Sequence, residues 1–228
     1  MHVEIWSDIA CPWCYVGKRR FEGALASFAH RDDVRVTWRS FELDPAAPRE
    51  REGDRAVHLA EKYGVTVDEA RAMHDQMTHV AAGEGLDFRF ETVRGANTFD
   101  AHRLLHLAAA HDRQDAVKER LMRAHFTEGE LISDHGALER LAVDAGLAEP
   151  EVREVLASDR YAAEVRQDER TAAALGIRAV PFFVVDRALG ASGAHPSPAL
   201  LGLLERGWAA RPTVAVLADG ESCGVDGC

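Results

Sequence analysis

The 228-residue sequence predicts an α/β fold cut in two by a large all-helical insertion. Three observations carry this reading. A strand-helix-strand order opens the chain, a block with helical spacing and almost no strand-like alternation follows, and strand signals with a closing helix return near the end. The divisions fall at residues 1-45 for the βαβ half, 46-175 for the helical insertion, 176-210 for the ββα half and 211-228 for a cysteine-containing tail.

In chain order, His2 to Ser7 alternates around Val3 and Ile5, with Ile9 following, as a short strand does. From Pro12 to Phe28 the spacing is helical. A proline suits the first turn, where its missing N–H is not needed, and Phe21, Ala24, Leu25 and Phe28 recur at three and four residues. Val34 to Phe41 alternates again and is broken by Asp44-Pro45. Within the middle block the apolar spacing is helical in one segment after another, for example Val117, Leu121 and Ala124, then Leu138, Leu141, Ala142 and Ala145, then Val165, Ala172 and Leu175. Phe182-Phe183-Val184-Val185 and Leu189 to Ser192 read as strands, and the leucines from Leu200 to Leu204 with Trp208 read as the last helix.

Composition excludes several functions. Hydrophobic residues make up 46% and charged residues 29%, and no apolar run approaches the roughly 18 residues of a membrane span. The formal charge of -11, from 38 acidic and 27 basic residues, comes with no basic cluster to meet a phosphate backbone, so neither nucleic acid nor membrane is an expected partner. The start Met1-His2-Val3-Glu4-Ile5-Trp6 lacks the pattern of a secretory signal, and the expected location is cytoplasmic.

The four cysteines form two pairs, Cys11 with Cys14 and Cys223 with Cys228. In a reducing compartment such pairs are more often catalytic or metal-binding than structural. Cys11 sits between a strand and a helix start, where unpaired N–H groups and the helix dipole favour the thiolate over its free value of roughly 8.5. Cys14, one turn on, is placed to strike a mixed disulfide formed at Cys11. The alternatives are half of a zinc site or an inert buried pair. In the second half, Ala179-Val180-Pro181-Phe182-Phe183 puts a proline at the start of an apolar strand, and the sequence leaves its isomer open.

Taken together, these residues resemble the DsbA family of thioredoxin-fold proteins, in its FrnE-like branch, which is associated with polyketide gene clusters and related to 2-hydroxychromene-2-carboxylate isomerases and kappa-class glutathione transferases. The likeness spans nearly the whole chain. It rests on Ser7-Asp8-Ile9-Ala10-Cys11-Pro12-Trp13-Cys14-Tyr15-Val16-Gly17, Ser40-Phe41-Glu42-Leu43-Asp44-Pro45, Asn97-Thr98-Phe99-Asp100-Ala101-His102-Arg103-Leu104, Val180-Pro181-Phe182-Phe183 and Ser192-Gly193-Ala194. The resemblance implies a thioredoxin-like fold with a helical insertion, Cys11 as nucleophile, Cys14 as resolving thiol, and a cis-proline at Pro181 that holds the substrate chain.

It further implies a disulfide reductase or isomerase working by dithiol-disulfide exchange on a protein or small disulfide, with glutathione a possible small-thiol partner and no cofactor or metal. Pro12, Trp13, Val180, Asn97 and His102 are its expected substrate-facing residues. The isomerase and transferase relatives typically carry serine at the nucleophile's place, so Cys11 argues for redox chemistry. Ala179 and His195 depart from the family's common glycine and glutamine. The tail run Cys223-Gly224-Val225-Asp226-Gly227-Cys228 resembles the second Cys-x4-Cys of some FrnE-like proteins, which implies a secondary redox pair; an incidental exposed pair and a thiol metal clip are its alternatives.

His102 and His106 share a helix face at metal-ligand spacing, but a solvated or partner-satisfied pair is the expected reading. Glu42 and Asp44 are weighed as proton buffers for Cys14 against acids that merely meet water. Two other functions fit the same fold: a glutathione-dependent isomerase or transferase, and a non-enzymatic holdase with an apolar cleft.

Overall fold

The computed structural model describes residues 1–211; Cys223 and Cys228 lie outside the described residues. A four-stranded sheet runs in the order β2-β1-β5-β6, from β1 (His2–Ser7), β2 (Arg35–Ser40), β5 (Phe182–Val185) and β6 (Leu189–Ser192). β1 pairs parallel to β2, with Ile5 opposite Trp38, and antiparallel to β5, with Ile5 opposite Phe183. Because side chains alternate along a strand, β1 sends Val3 and Ile5 to one face and Glu4 and Trp6 to the other. The first face packs on α1 (Pro12–Ser27) and α9 (Ser197–Ala209) through Phe21, Ala24, Phe28, Leu200 and Leu204. On the second face Trp6 and Val184 meet Ala172 and Ile177, and the Trp6 indole donates to the Asp168 carbonyl at 3.0 Å.

Between β2 and β5 lie α2 (Arg55–Tyr63), α3 (Val67–Gly83), α4 (Phe99–Ala110), α5 (Gln114–Phe126), α6 (His135–Asp144), α7 (Glu149–Leu156) and α8 (Ala162–Ala174). A two-stranded ladder, β3 (Glu50–Arg51) with β4 (Gly95–Ala96), also closes within this stretch. The sequence gives no sign of that ladder, because two residues are too few to show alternation and the partners stand far apart along the chain. Helix ends follow ordinary chemistry: Asp54 and Asp134 cap α2 and α6, and Thr66 with Glu69 forms a reciprocal capping box on α3. No helix among the described residues is long and apolar enough to cross a membrane.

The helical core reaches Ile9, Cys11, Cys14, Tyr15 and Val16, so the cysteine-bearing end of α1 is packed by the insertion. Its opposite side faces the sheet. Ion pairs lock α1 to α5. The side chain of Lys18, only 2% exposed, bridges to Glu22, to Asp115 at 3.2 Å and to Glu119 at 3.1 Å. Glu119 also accepts from Tyr15 Oη at 2.6 Å and pairs with Arg19.

Burial opposes the charge on Glu119, but Arg19, Lys18 and Tyr15 outweigh it and pull its pKa down to about 2. A carboxylate depressed in this way stabilises the fold above its unfolded pKa and loses that contribution as pH falls toward the folded one. Glu119→Gln should therefore cost about 2 kcal/mol in urea unfolding at pH 7. The gap to wild type should hold down to about pH 5 and shrink toward pH 2; a gap independent of pH would refute the clamp's electrostatic origin.

Candidate active site

Cys11 is the N-cap of α1, with extended backbone, and Pro12 takes the first helical position. No acidic residue stands in the first turn and no side chain caps it. The partial positive charge at this helix end thus faces the Cys11 sulfur without a competing carboxylate on the helix. The Cys14 and Tyr15 N–H groups donate to the Cys11 carbonyl at 3.1 and 3.4 Å, which closes the turn that brings the two sulfurs together. Both cysteines are free thiols, Cys11 4% exposed and Cys14 fully buried. Both thiols are thus buried, with Cys11 the nearer to the surface.

Opposite this turn, the Val180–Pro181 peptide bond is cis and the Cys11 thiol donates to the Val180 carbonyl at 3.7 Å. Gly17 lets the proline approach: a Cβ there would stand 2.8 Å from Pro181 Cγ. The loop is held from both ends. Gly193 N–H donates to the Pro181 carbonyl at 2.8 Å, and Arg20 on α1 donates to the Ala194 carbonyl at 2.7 Å. Trp13, 46% exposed, and Leu43, 41% exposed, are large apolar side chains open to solvent.

Beneath the cysteines lies a set of buried polar groups. Lys118, fully buried on α5, donates to the Ser7 carbonyl at 3.3 Å. Burial brings its pKa down to about 8, and the nearby Cys14, Asp8 and Cys11 keep it from falling further. Asp8, 2% exposed, accepts from the Leu43 N–H at 2.8 Å and lies 3.3 Å from His102 Nε2. Burial works against its charge, but His102, Leu43 and Lys118 hold its pKa below the ordinary value. Burial wins at His102, whose pKa is lowered despite Asp8, so the ring is neutral.

The thiolate that the helix end is expected to favour at Cys11 meets an opposing environment: a hydrogen bond to Cys14 and burial push the Cys11 pKa well up in the reduced pair.

Several expected residues fall elsewhere. His102 is fully buried behind the pair and bonded to Asp8, which corrects its placement on a substrate-facing surface. Asn97 is half-buried and pins the start of α4: its Oδ1 accepts from Phe99 N–H at 2.8 Å and its Nδ2 donates to the Ala47 carbonyl at 3.3 Å. His106 pairs with Asp168 at 3.2 Å, so the two histidines serve different carboxylates. Glu42 pairs with Arg166 rather than with the thiols, and burial raises its pKa to about 7 against the pull of that arginine. Asp44 bonds Arg51 at 2.7 Å on the surface. No group of three or more metal-ligating side chains occurs among the described residues. Lys18, Arg19 and Arg20 all turn to carboxylates away from the sulfurs.

The nearby cation is Lys118, which sequence reading missed. Its signal was a lysine on the apolar face of a helix, three and four residues before Leu121 and Met122. A lysine whose pKa is depressed costs stability at pH 7, a cost that fades as pH rises from about 8 toward its unfolded value of about 10.4. Lys118→Met should hence be at least as stable as wild type at pH 7. Urea unfolding at pH 7 checks this, and a Lys118→Met variant clearly less stable than wild type would show that the partners of the ammonium outweigh its burial.

Comparison with known proteins agrees with this geometry. Residues 2–205 match the model of the DSBA-like thioredoxin domain. The crystal structure of a probable DsbA oxidoreductase from Streptomyces coelicolor is 50% identical, with a TM-score of 0.91 over 100% of this chain and 98% of that one. The cytosolic disulfide reductase DsbM from Pseudomonas aeruginosa shares the fold at 15% identity, with a TM-score of 0.64 over 92% of this chain and 99% of that one. An uncharacterised Bacillus subtilis protein, YwbO, is 27% identical over 187 residues, 81% of this chain and 86% of its own length. With residues 2–205 matched, the chain belongs to the family of DsbA-like thioredoxin domains.

Proposed function

We propose that this protein is a cytoplasmic thiol-disulfide oxidoreductase that reduces or isomerises disulfides of proteins or small molecules through Cys11-Pro12-Trp13-Cys14. The observation that carries the reading is a pair of free thiols one helical turn apart, with Cys11 at the helix N-cap and its thiol on the Val180 carbonyl of the cis-proline loop.

In the reductive direction the Cys11 thiolate attacks one sulfur of the substrate disulfide. A Cys11–substrate disulfide forms, the substrate S–S bond breaks, and the other half leaves as a thiolate that takes up a proton. Cys14 then loses its proton and attacks the Cys11 sulfur. The Cys11–Cys14 bond forms, the second half leaves as thiolate, and two electrons have passed from enzyme to substrate. Lys118, placed among Cys14, Asp8 and Cys11, offsets the negative charge in both steps. Trp13, Pro12 and Val180 line the approach to Cys11, and Pro181 holds the substrate chain across it. A thiol such as glutathione returns the pair to the dithiol, two molecules giving one disulfide. DsbM, which shares the fold, has a structure with glutathione, and that supports this choice.

Insulin reduction with glutathione as the electron source tests the assignment. Cys11→Ser should lose at least 100-fold in rate. Cys14→Ser should accumulate a mixed disulfide at Cys11, visible by mass spectrometry and released by dithiothreitol. Equal rates in both variants and wild type would end the proposal.

A further inference from the structure

A second site, separate from the thiols, lies between the start of α2, one face of α3 and residues 88–93. It is a cavity of about 670 Å³, within the range of small-molecule sites. One wall is a run of stacked rings: His74 lies on Phe90 at 4.4 Å with 8° between planes, and Phe88 stacks on Phe126 at 4.6 Å. Phe88 also contacts Tyr15, so this wall continues to α1.

Arg55, half-buried, lines this cavity. Its Nε is buried and bonded to nothing among the described residues. Burial, then Arg51, lowers its pKa, and no carboxylate acts in the other direction. The local acids are committed or peripheral. Asp54 caps α2 through the Ala56 N–H at 2.7 Å and pairs with Arg71 at 3.3 Å, while Asp75 and Glu91 are exposed on the rim. Arg51 is itself paired, with Asp44. Behind the wall, His125 is fully buried and neither ring nitrogen has a partner among the described residues. Burial, then the charge of Arg55, takes the His125 pKa down to about 3, and His74 is lowered for the same two reasons. Neither histidine adds charge at neutral pH. Among the described residues the cavity thus offers one uncompensated guanidinium, in a protein of net charge -11.

A half-buried guanidinium whose Nε has no partner is costly, and a planar guanidinium is matched by a planar carboxylate through two parallel hydrogen bonds. A single uncompensated charge suits a monoanion rather than a phosphate dianion. We propose that this cavity binds a small aromatic carboxylate, its carboxylate on Arg55 and its ring against the His74–Phe90 stack. The site goes beyond the disulfide chemistry and does not depend on it.

The test is titration calorimetry at pH 7 with benzoate, benzamide and inorganic phosphate, on wild type, Arg55→Met and the rim control Arg71→Met. Wild type should bind benzoate with a Kd on the order of 1 mM, as a ligand of this size allows. Arg55→Met should weaken benzoate fivefold or more and Arg71→Met less than that, with benzamide and phosphate binding weaker than benzoate in wild type. Insulin reduction should be unchanged in Arg55→Met, which separates this site from the cysteine pair. If Arg55→Met does not fold, Arg55→Lys keeps the charge, loses the two-pronged geometry, and should show the same fivefold loss. No benzoate binding in wild type, a loss below fivefold at Arg55, or phosphate binding tighter than benzoate would each overturn the proposal.

Discussion

Lys118 is a cation with no exposed surface, standing between a reactive thiol pair and a buried aspartate. Its position constrains the rest of the molecule. An ammonium out of water is costly, and Ser7's carbonyl with the charges of Cys14, Asp8 and Cys11 offsets part of that cost. Those groups sit on β1, on the turn after it and on α1, while Lys118 itself sits on α5. The arrangement survives only if α5 stays docked on α1. Glu119, the next residue, supplies the docking: it faces outward to Tyr15, Arg19 and Lys18, three side chains of α1. One turn of α5 therefore carries both the buried charge and the clamp that keeps it in place.

The two thiols are both buried and differ chiefly in their surroundings: Cys11 stands at the N-cap of α1 within reach of the Val180 carbonyl, and Cys14 lies one turn on, inside the helix. The helix end bears on the Cys11 sulfur, and the Lys118 ammonium bears on both sulfurs from below. These two positive influences come from different parts of the chain, one from α1 itself and one from α5.

The parts of this design that local pattern encodes were readable from the sequence. Alternation in His2 to Ser7, a proline at the helix start and the Cys11–Cys14 spacing are properties of adjacent residues, and the described strands and helices of the sheet half follow them. The charged groups beneath the thiols were not. Asp8 stood in the quoted motif without a role, because nothing in its neighbours shows that the ring of His102 arrives behind it from α4. His102 was placed on the wrong side of the cysteines for the same reason. Lys18, Arg19 and Arg20, nearest in sequence, turn away to carboxylates, and the effective cation comes from about a hundred residues further along. Charge partners are set by tertiary packing, which leaves only a weak trace such as a lysine on an apolar helix face.

The helical insertion is consequently part of the site's construction and not a cover added to it. The sheet half by itself provides Cys11 at a helix end and Pro181 across from it. Cys14, Tyr15 and Val16 pack into the insertion's core, so without those helices the Cys14 thiol would be open to solvent. The pair would also lose Lys118. Exposure of Cys14 and loss of the cation are one structural event. The burial of Cys14 and the cation beside it, which the CxxC spacing alone does not specify, are imposed on the sheet half by the helices packed against it.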